Sequence, residues 1–197
     1  LSRVIGLGGK LAAGKDVVAD HLVEKYGFVK LGMSDALHEA ALKLNPIVFV
    51  DFFSEYELNY RTATEEFGYV GAKERFPEYR RFLQVLGTEV GREMFGENVW
   101  VNLMASKIMG LVEQQRDVVV TGIRFPNEVD LIDGLSWETA VNAQSVWVKR
   151  PPTNALEAVV THASENSVTE DDFDVILFNT GTIADLHEKV EELIEEG

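Results

Sequence analysis

Gly9-Lys10-Leu11-Ala12-Ala13-Gly14-Lys15-Asp16 is the stretch that decides how this chain folds. Before it, Arg3-Val4-Ile5-Gly6-Leu7 reads as a short buried strand. After it, Asp16-Val17-Val18-Ala19-Asp20-His21-Leu22-Val23 has helical spacing. Strand, glycine-rich turn and helix together make the context of a phosphate-binding loop. The two glycines allow a tight turn whose backbone N–H groups point inward at phosphate oxygens. The helix N-terminus adds the positive end of its dipole. Lys15 can reach terminal phosphates as a mobile point charge. The Ser or Thr that usually follows the lysine and binds Mg²⁺ is here Asp16, whose carboxylate is also a hard oxygen ligand.

Working outward, 197 residues fit one domain with a small inserted lid. Hydrophobic residues make up 46%, enough for a full core. The net charge of -15 argues against non-specific binding to DNA or RNA, which needs a surplus of Lys and Arg. A polyanionic substrate must then be met by a few local cations within a repelling surface. Without cysteine there is neither a disulfide frame nor a cysteine zinc site, which suits a reducing compartment without proving one. No apolar run approaches the roughly 18 residues of a membrane span. The N-terminus enters a strand at once, so no signal peptide is expected.

The pattern predicts a helix from Gly14 to about Lys25, a strand at Phe28–Leu31 and a helix from Ala36 to about Leu44, stopped before Pro46. Strand, helix, strand, helix implies an α/β layer architecture with a parallel sheet. From Asn45 to Tyr79 periodicity is weak and aromatics are frequent. That segment reads equally as a helical insertion, a cap that excludes water, or a homodimer surface. Glu78 to Gly87 reads as a helix carrying Arg80, Arg81 and Gln84 on one face, with Gly87-Thr88-Glu89 breaking the pattern. A long helix follows, from Asn98 to about Gln114, with Val99, Leu103, Ile108 and Leu111 inward. Val118-Val119-Val120-Thr121 has the continuous β-branched character of a central parallel strand. Arg124 and Glu128 lie just beyond its carboxyl end, where open α/β sheets bind ligands. Ser145–Val148 and Phe173–Phe178 are two further strands, and Thr182 caps a closing helix with Leu186, Val190 and Leu193 inward.

Phosphoryl transfer is mainly positioning and charge neutralisation, so donor and acceptor phosphates both need cations. The chain has only 18 Lys and Arg residues. Arg80, Arg81, Arg92, Arg124, Lys149 and Arg150 gather at predicted loop or strand ends, which fits a kinase for a small anionic acceptor. No Asn-Lys-x-Asp segment supports a GTPase, and no basic track supports a DNA-remodelling ATPase. His162 has no assigned part, because an acceptor that is already a phosphate oxygen needs no general base.

These residues resemble the phage-type deoxynucleoside monophosphate kinases. The resemblance rests on Gly9…Gly14-Lys15-Asp16, on Arg80-Arg81-Phe82-Leu83-Gln84-Val85-Leu86-Gly87-Thr88-Glu89-Val90-Gly91-Arg92, and on Arg124-Phe125-Pro126-Asn127-Glu128. His162-Ala163-Ser164-Glu165 and Asn179-Thr180-Gly181-Thr182 complete it. It implies a P-loop NTPase three-layer fold with about five parallel strands, an acceptor-binding helical insertion over about 45–90 and a lid over about 150–167. It implies transfer of the γ-phosphate of ATP to a deoxynucleoside monophosphate, with Mg²⁺, in the cytoplasm (the host's, for a phage-encoded chain). ATP would be held by Gly9, Lys10, Ala12, Ala13, Gly14, Lys15, Asp16, Val17, Asn179 and Gly181, with Asp16 as metal ligand. Lys15, Arg124 and Arg150 would be catalytic. Ser34, Asp35, Arg80, Arg81, Gln84, Thr88, Arg92 and Glu128 would bind the acceptor. Relatives commonly carry Asp at the end of the central strand, where this chain has Gly122, which shifts weight for the metal onto Asp16 or Glu128. The alternatives are another small-molecule kinase, of the dephospho-coenzyme A kinase type, and a nucleotide-binding module without turnover.

Overall fold

The computed structural model describes residues 1–51, 53–136, 141–151 and 167–196. It comprises two compact units, Leu1–Met33 with Met104–Gly197, and Ser34–Leu103.

The first unit is built on a five-stranded sheet of β1 (Ser2–Gly8), β2 (Val29–Gly32), β5 (Val118–Ile123), β6 (Val141–Lys149) and β7 (Val175–Phe178). All pairings are parallel, in the order β2-β5-β1-β6-β7. The expected sheet of about five parallel strands is therefore present, with β1 at its centre. Alternation along β1 serves both faces. Ile5 and Leu7 join Val119, Val146 and Val148 under α1 (Lys15–Tyr26) and α7 (Ile183–Glu196), which contribute Val18, Leu22, Leu186 and Val190. On the other face, a Cβ at Gly6 would meet Ile132 of α6 (Pro126–Leu135) at 2.6 Å, so the missing side chain lets that helix ride close. Helices thus cover both faces. Val118, Val119 and Val120 are fully buried, each stabilising the fold by about 2 kcal/mol. Thr182 caps α7 as expected: its Oγ1 accepts from the Asp185 amide, and Asp185 accepts from the Thr182 amide at 2.7 Å.

The second unit begins at Ser34, ahead of the expected insertion, because α2 (Asp35–Leu44) packs Ala41 into its core. Its core joins Val48, Leu58, Tyr60, Ala63, Tyr79 and Leu83. The weakly periodic segment is not all helical. It opens with an antiparallel hairpin of β3 (Ile47–Asp51) and β4 (Tyr56–Asn59), followed by α3 (Tyr60–Arg75), kinked at Gly68, and α4 (Pro77–Gln84). Only Val48 and Leu58 of the hairpin are buried, while Ile47, Phe49 and Tyr56 are exposed. Apolar residues on both faces hid the period of two.

Gly87 was expected to break the helix. Instead the chain continues in wide π-helical turns over Val85–Met94. The next helix, α5 (Val99–Val112), buries Val101, Met104, Ile108 and Val112. Leu103, expected inward, is 45% exposed. Among the described residues, no helix is long and apolar enough to cross a membrane.

Candidate active site

In the first unit, the turn from β1 into α1 lies at the carboxyl end of the central strand. Gly9 has a φ of +140°, and a Cβ there would sit 2.4 Å from the Val148 carbonyl oxygen on β6. Ala12 is held at φ +57°, a left-handed conformation that a side chain disfavours. Val17 follows on α1, half-packed against the core. The Lys15 ammonium folds back over its own loop, donating to the carbonyls of Gly9 and Lys10 at 2.7 Å each. Phosphate oxygens would compete for that same ammonium.

Asp16 occupies the first turn of α1 and is 80% exposed. Its carboxylate accepts from Lys30 Nζ at 3.0 Å, and Asp20, one turn on, accepts from the same ammonium at 2.9 Å. Burial of Lys30 works against its charge, but the hydrogen bonds to Asp20 and Asp16 outweigh it and hold its pKa above the ordinary lysine value. Sequence reading placed Lys30 only as a strand residue. Its role depends on β2 running beside α1, a topological fact that no local pattern carries.

A cleft beside the loop is lined by Gly9, Leu11, Lys15, Gly122, Ile123, Arg124, Trp147 and Val168. It brings together two of the three expected catalytic cations, Lys15 and Arg124, but not Arg150. Gly122 has a φ of +81° at the point where the β1–β5 register shifts, with open space where a Cβ would lie. The bulge turns the chain toward Arg124, and an Asp in this conformation would be strained. Glu128 lies behind that turn, only 5% exposed, where its carboxylate accepts from the amides of Arg124 at 2.7 Å and Phe125 at 3.2 Å. Those bonds shape the backbone that presents Arg124. Of the two carboxylates onto which the metal's weight was shifted, only Asp16 is exposed.

Asn179, expected beside the adenine, reaches the phosphate loop. Its side-chain amide donates to the Ala13 carbonyl at 2.9 Å, and its backbone amide to Lys149 at 2.8 Å. Gly181 packs against Asp185 of the α7 cap. Lys149 pairs with Glu170 at 2.7 Å. Arg150 is exposed at the end of β6. The expected lid beyond it, including His162, lies outside the described residues.

In the second unit, Ser34 precedes α2 and Asp35 is in its first turn. Arg80, Arg81 and Gln84 lie exposed on α4, with Arg81 3.4 Å from Glu78. Thr88 and the half-buried Arg92 lie on the π-helical segment. The expected acceptor residues other than Glu128 thus share this unit. Trp100, which sequence reading passed over, donates its indole N–H to the Gly87 carbonyl at 2.8 Å.

A parallel sheet whose central strand enters a glycine turn and a lysine-headed helix defines a P-loop kinase fold. The chain is similar to dephospho-CoA kinase from Campylobacter jejuni over 98% of its own length and 97% of that chain, with a TM-score of 0.50 and 12% identity. At that identity the likeness is one of fold alone. The family model for deoxynucleotide monophosphate kinase matches residues 58–190, more than half of the chain. The chain belongs to that family, one of phosphate-transferring enzymes. The match starts beyond Lys15, so it is independent of the phosphate loop. Deoxynucleoside-5'-monophosphate kinase of Escherichia phage T5 is 35% identical over 81 residues, 41% of this chain and 31% of that protein. The alignment therefore spans less than a third of the phage enzyme's length. An uncharacterized protein of Ictalurid herpesvirus 1 (strain Auburn) is 26% identical over 187 residues, 94% of this chain and 68% of that one.

Proposed function

We propose that this chain transfers the γ-phosphate of ATP to a deoxynucleoside monophosphate, giving the diphosphate and ADP. An oxygen of the acceptor phosphate attacks the γ-phosphorus, and the bond to the β–γ bridging oxygen breaks. One observation carries this reading. The described lining of the first unit's cleft contains Lys15 and Arg124 but no carboxylate or imidazole. A phosphate acceptor is already deprotonated and needs charge neutralisation, whereas a hydroxyl acceptor would need a base. That chemistry agrees with the deoxynucleotide monophosphate kinase family match, which supports a monophosphate acceptor over the dephospho-coenzyme A type.

The loop from Gly9 through Lys10, Ala12, Ala13 and Gly14 cradles the ATP phosphates, and Lys15 exchanges its loop carbonyls for phosphate oxygens. Arg124 faces the same charge from the end of β5, oriented by Glu128. Arg150 adds a contact from the lid side, and Gly181 flanks the adenine. Ser34, Asp35, Arg80, Arg81, Gln84, Thr88 and Arg92 bind the monophosphate. The donor set fits Mg²⁺ arriving with ATP, since this ion is commonly held by one or two carboxylates plus substrate phosphates. Asp16 is the exposed carboxylate at the loop, and among the described residues no cluster of three His, Asp or Glu makes a protein-only cage. When bound, the ion neutralises phosphate charge. The phage relative supports a host-cytoplasmic setting. The exposed apolar hairpin face of Ile47, Phe49 and Tyr56 supports a homodimer, which sedimentation would test.

The deciding experiment is a coupled ADP-release assay with ATP, Mg²⁺ and each deoxynucleoside monophosphate in turn, with Lys15→Ala as the control. Turnover that requires a monophosphate and disappears in folded Lys15→Ala is expected. ATP binding without turnover on any monophosphate would overturn the reading.

A further inference from the structure

The π-helical segment Val85–Met94 carries two of the proposed acceptor residues, Thr88 and Arg92. Long runs of such turns are rare, and they cluster at functional sites. Two contacts bracket this one. On one side Trp100 donates its indole N–H to the Gly87 carbonyl at 2.8 Å. The indole also sits against Gly91: a Cβ there would come within 2.6 Å of its ring atoms. On the other side, a Cβ at Gly87 would stand 3.2 Å from Leu37 of α2, the helix that begins with Asp35. Gly87 and Gly91 are thus two points at which neighbouring side chains press on the segment, and Thr88 and Arg92 directly follow them.

Resting on the function proposed above, we infer that Trp100 is a positioning residue for the acceptor site. Its N–H gives the Gly87 carbonyl a partner outside the helix, and its ring fixes the face that Gly91 leaves bare. Together these set the helical register that presents Thr88 and Arg92 to the monophosphate. A tighter α-helical register would rotate both residues around the helix axis, since the residues per turn would change.

The test compares Trp100→Phe, which keeps an aromatic ring but removes the indole N–H, with Gly91→Ala, whose added methyl forces the indole away. Hydrogen exchange of residues 85–94 in the free protein is one readout and needs no activity. KM for the deoxynucleoside monophosphate and for ATP, measured separately, is the other. Both variants should exchange faster over 85–94. The monophosphate KM should rise about fivefold, the size of one net hydrogen bond, with the ATP KM unchanged. Unchanged exchange, an unchanged acceptor KM, or equal rises in both KM values would overturn the inference. Failure of both variants to fold would overturn it too, in favour of a purely structural role. If the wild-type chain phosphorylates no monophosphate, the function itself fails, a result visible before any variant is made.

Discussion

Lys30 Nζ lies 3.0 Å from the Asp16 carboxylate, so the expected Mg²⁺ ligand is already an ion-pair partner. The pair is exposed and contributes at most about 1 kcal/mol to stability. It also bears on the metal, because an ammonium at the carboxylate opposes a second cation there. Lys30→Met should lower the Mg²⁺ concentration for half-maximal rate by about two- to threefold, the factor a surface pair of that energy yields. Asp16→Ala should raise it. Initial rates against free Mg²⁺ at fixed ATP measure both. A higher Mg²⁺ requirement in Lys30→Met would mean that Lys30 orients Asp16 rather than competing for it.

Asn179 joins the end of β7 to the phosphate loop through the Ala13 carbonyl. Asn179→Asp replaces the donor with an acceptor facing that carbonyl. Loss of the bond and an uncompensated oxygen cost about 1–3 kcal/mol, mostly at the loop. The ATP KM should rise about tenfold, as 1.4 kcal/mol implies, with the monophosphate KM unmoved. Asn179→Ala should fall between the two. Equal ATP KM values for all three proteins would remove Asn179 from loop positioning.

Ala12 is held in the left-handed region at φ +57°. Such strain is stored where surrounding structure fixes the backbone. Ala12→Gly relieves it and should stabilise the fold by about 0.5–1 kcal/mol, after allowing for the extra freedom of glycine when unfolded. Ala12→Val should destabilise by more, since a β-branched residue in this region is an outlier. Urea denaturation with unchanged slope decides the sign. A loss of stability in Ala12→Gly would mean that the conformation is unstrained.

The sequence carried most of the first unit because its signals are local. β5 is a run of buried valines, and the phosphate loop has its glycines and lysine in order. The hairpin was not legible: Val48 and Leu58 point inward, but Ile47, Phe49 and Tyr56 are apolar outside. Gly87 looked like a helix breaker because propensity counts its missing side chain, whereas packing uses that absence to admit Leu37. Lys30 and Trp100 act through partners 14 and 13 residues away that only the fold brings close. Glu128 was found as a residue, yet its chemistry is a cap on the Arg124 turn, made across a helix start whose N-cap, Phe125, lacks the Ser or Thr that would have signalled it.

His38 Nδ1 lies 2.6 Å from the Tyr60 hydroxyl in the second unit. Burial raises the Tyr60 pKa and keeps its proton on the oxygen, so a neutral phenol faces the imidazole. Burial also lowers the His38 pKa below its ordinary 6.5, helped by the Lys73 charge and opposed by Asp35 and Glu39. The folded state thus binds this proton less readily than the unfolded chain. His38 contributes its full stability above pH 6.5, and that contribution is lost as pH falls through the lowered folded value. Thermal stability should therefore decline on acidification from about pH 7, where unperturbed histidines are neutral. His38→Gln cannot titrate and should flatten that decline relative to wild type, while starting lower at pH 7.5 because its amide fits the Tyr60 hydroxyl less well. Melting temperatures of both proteins across this range measure the difference. Parallel curves would assign the acid sensitivity to other groups and leave the His38–Tyr60 bond indifferent to protonation.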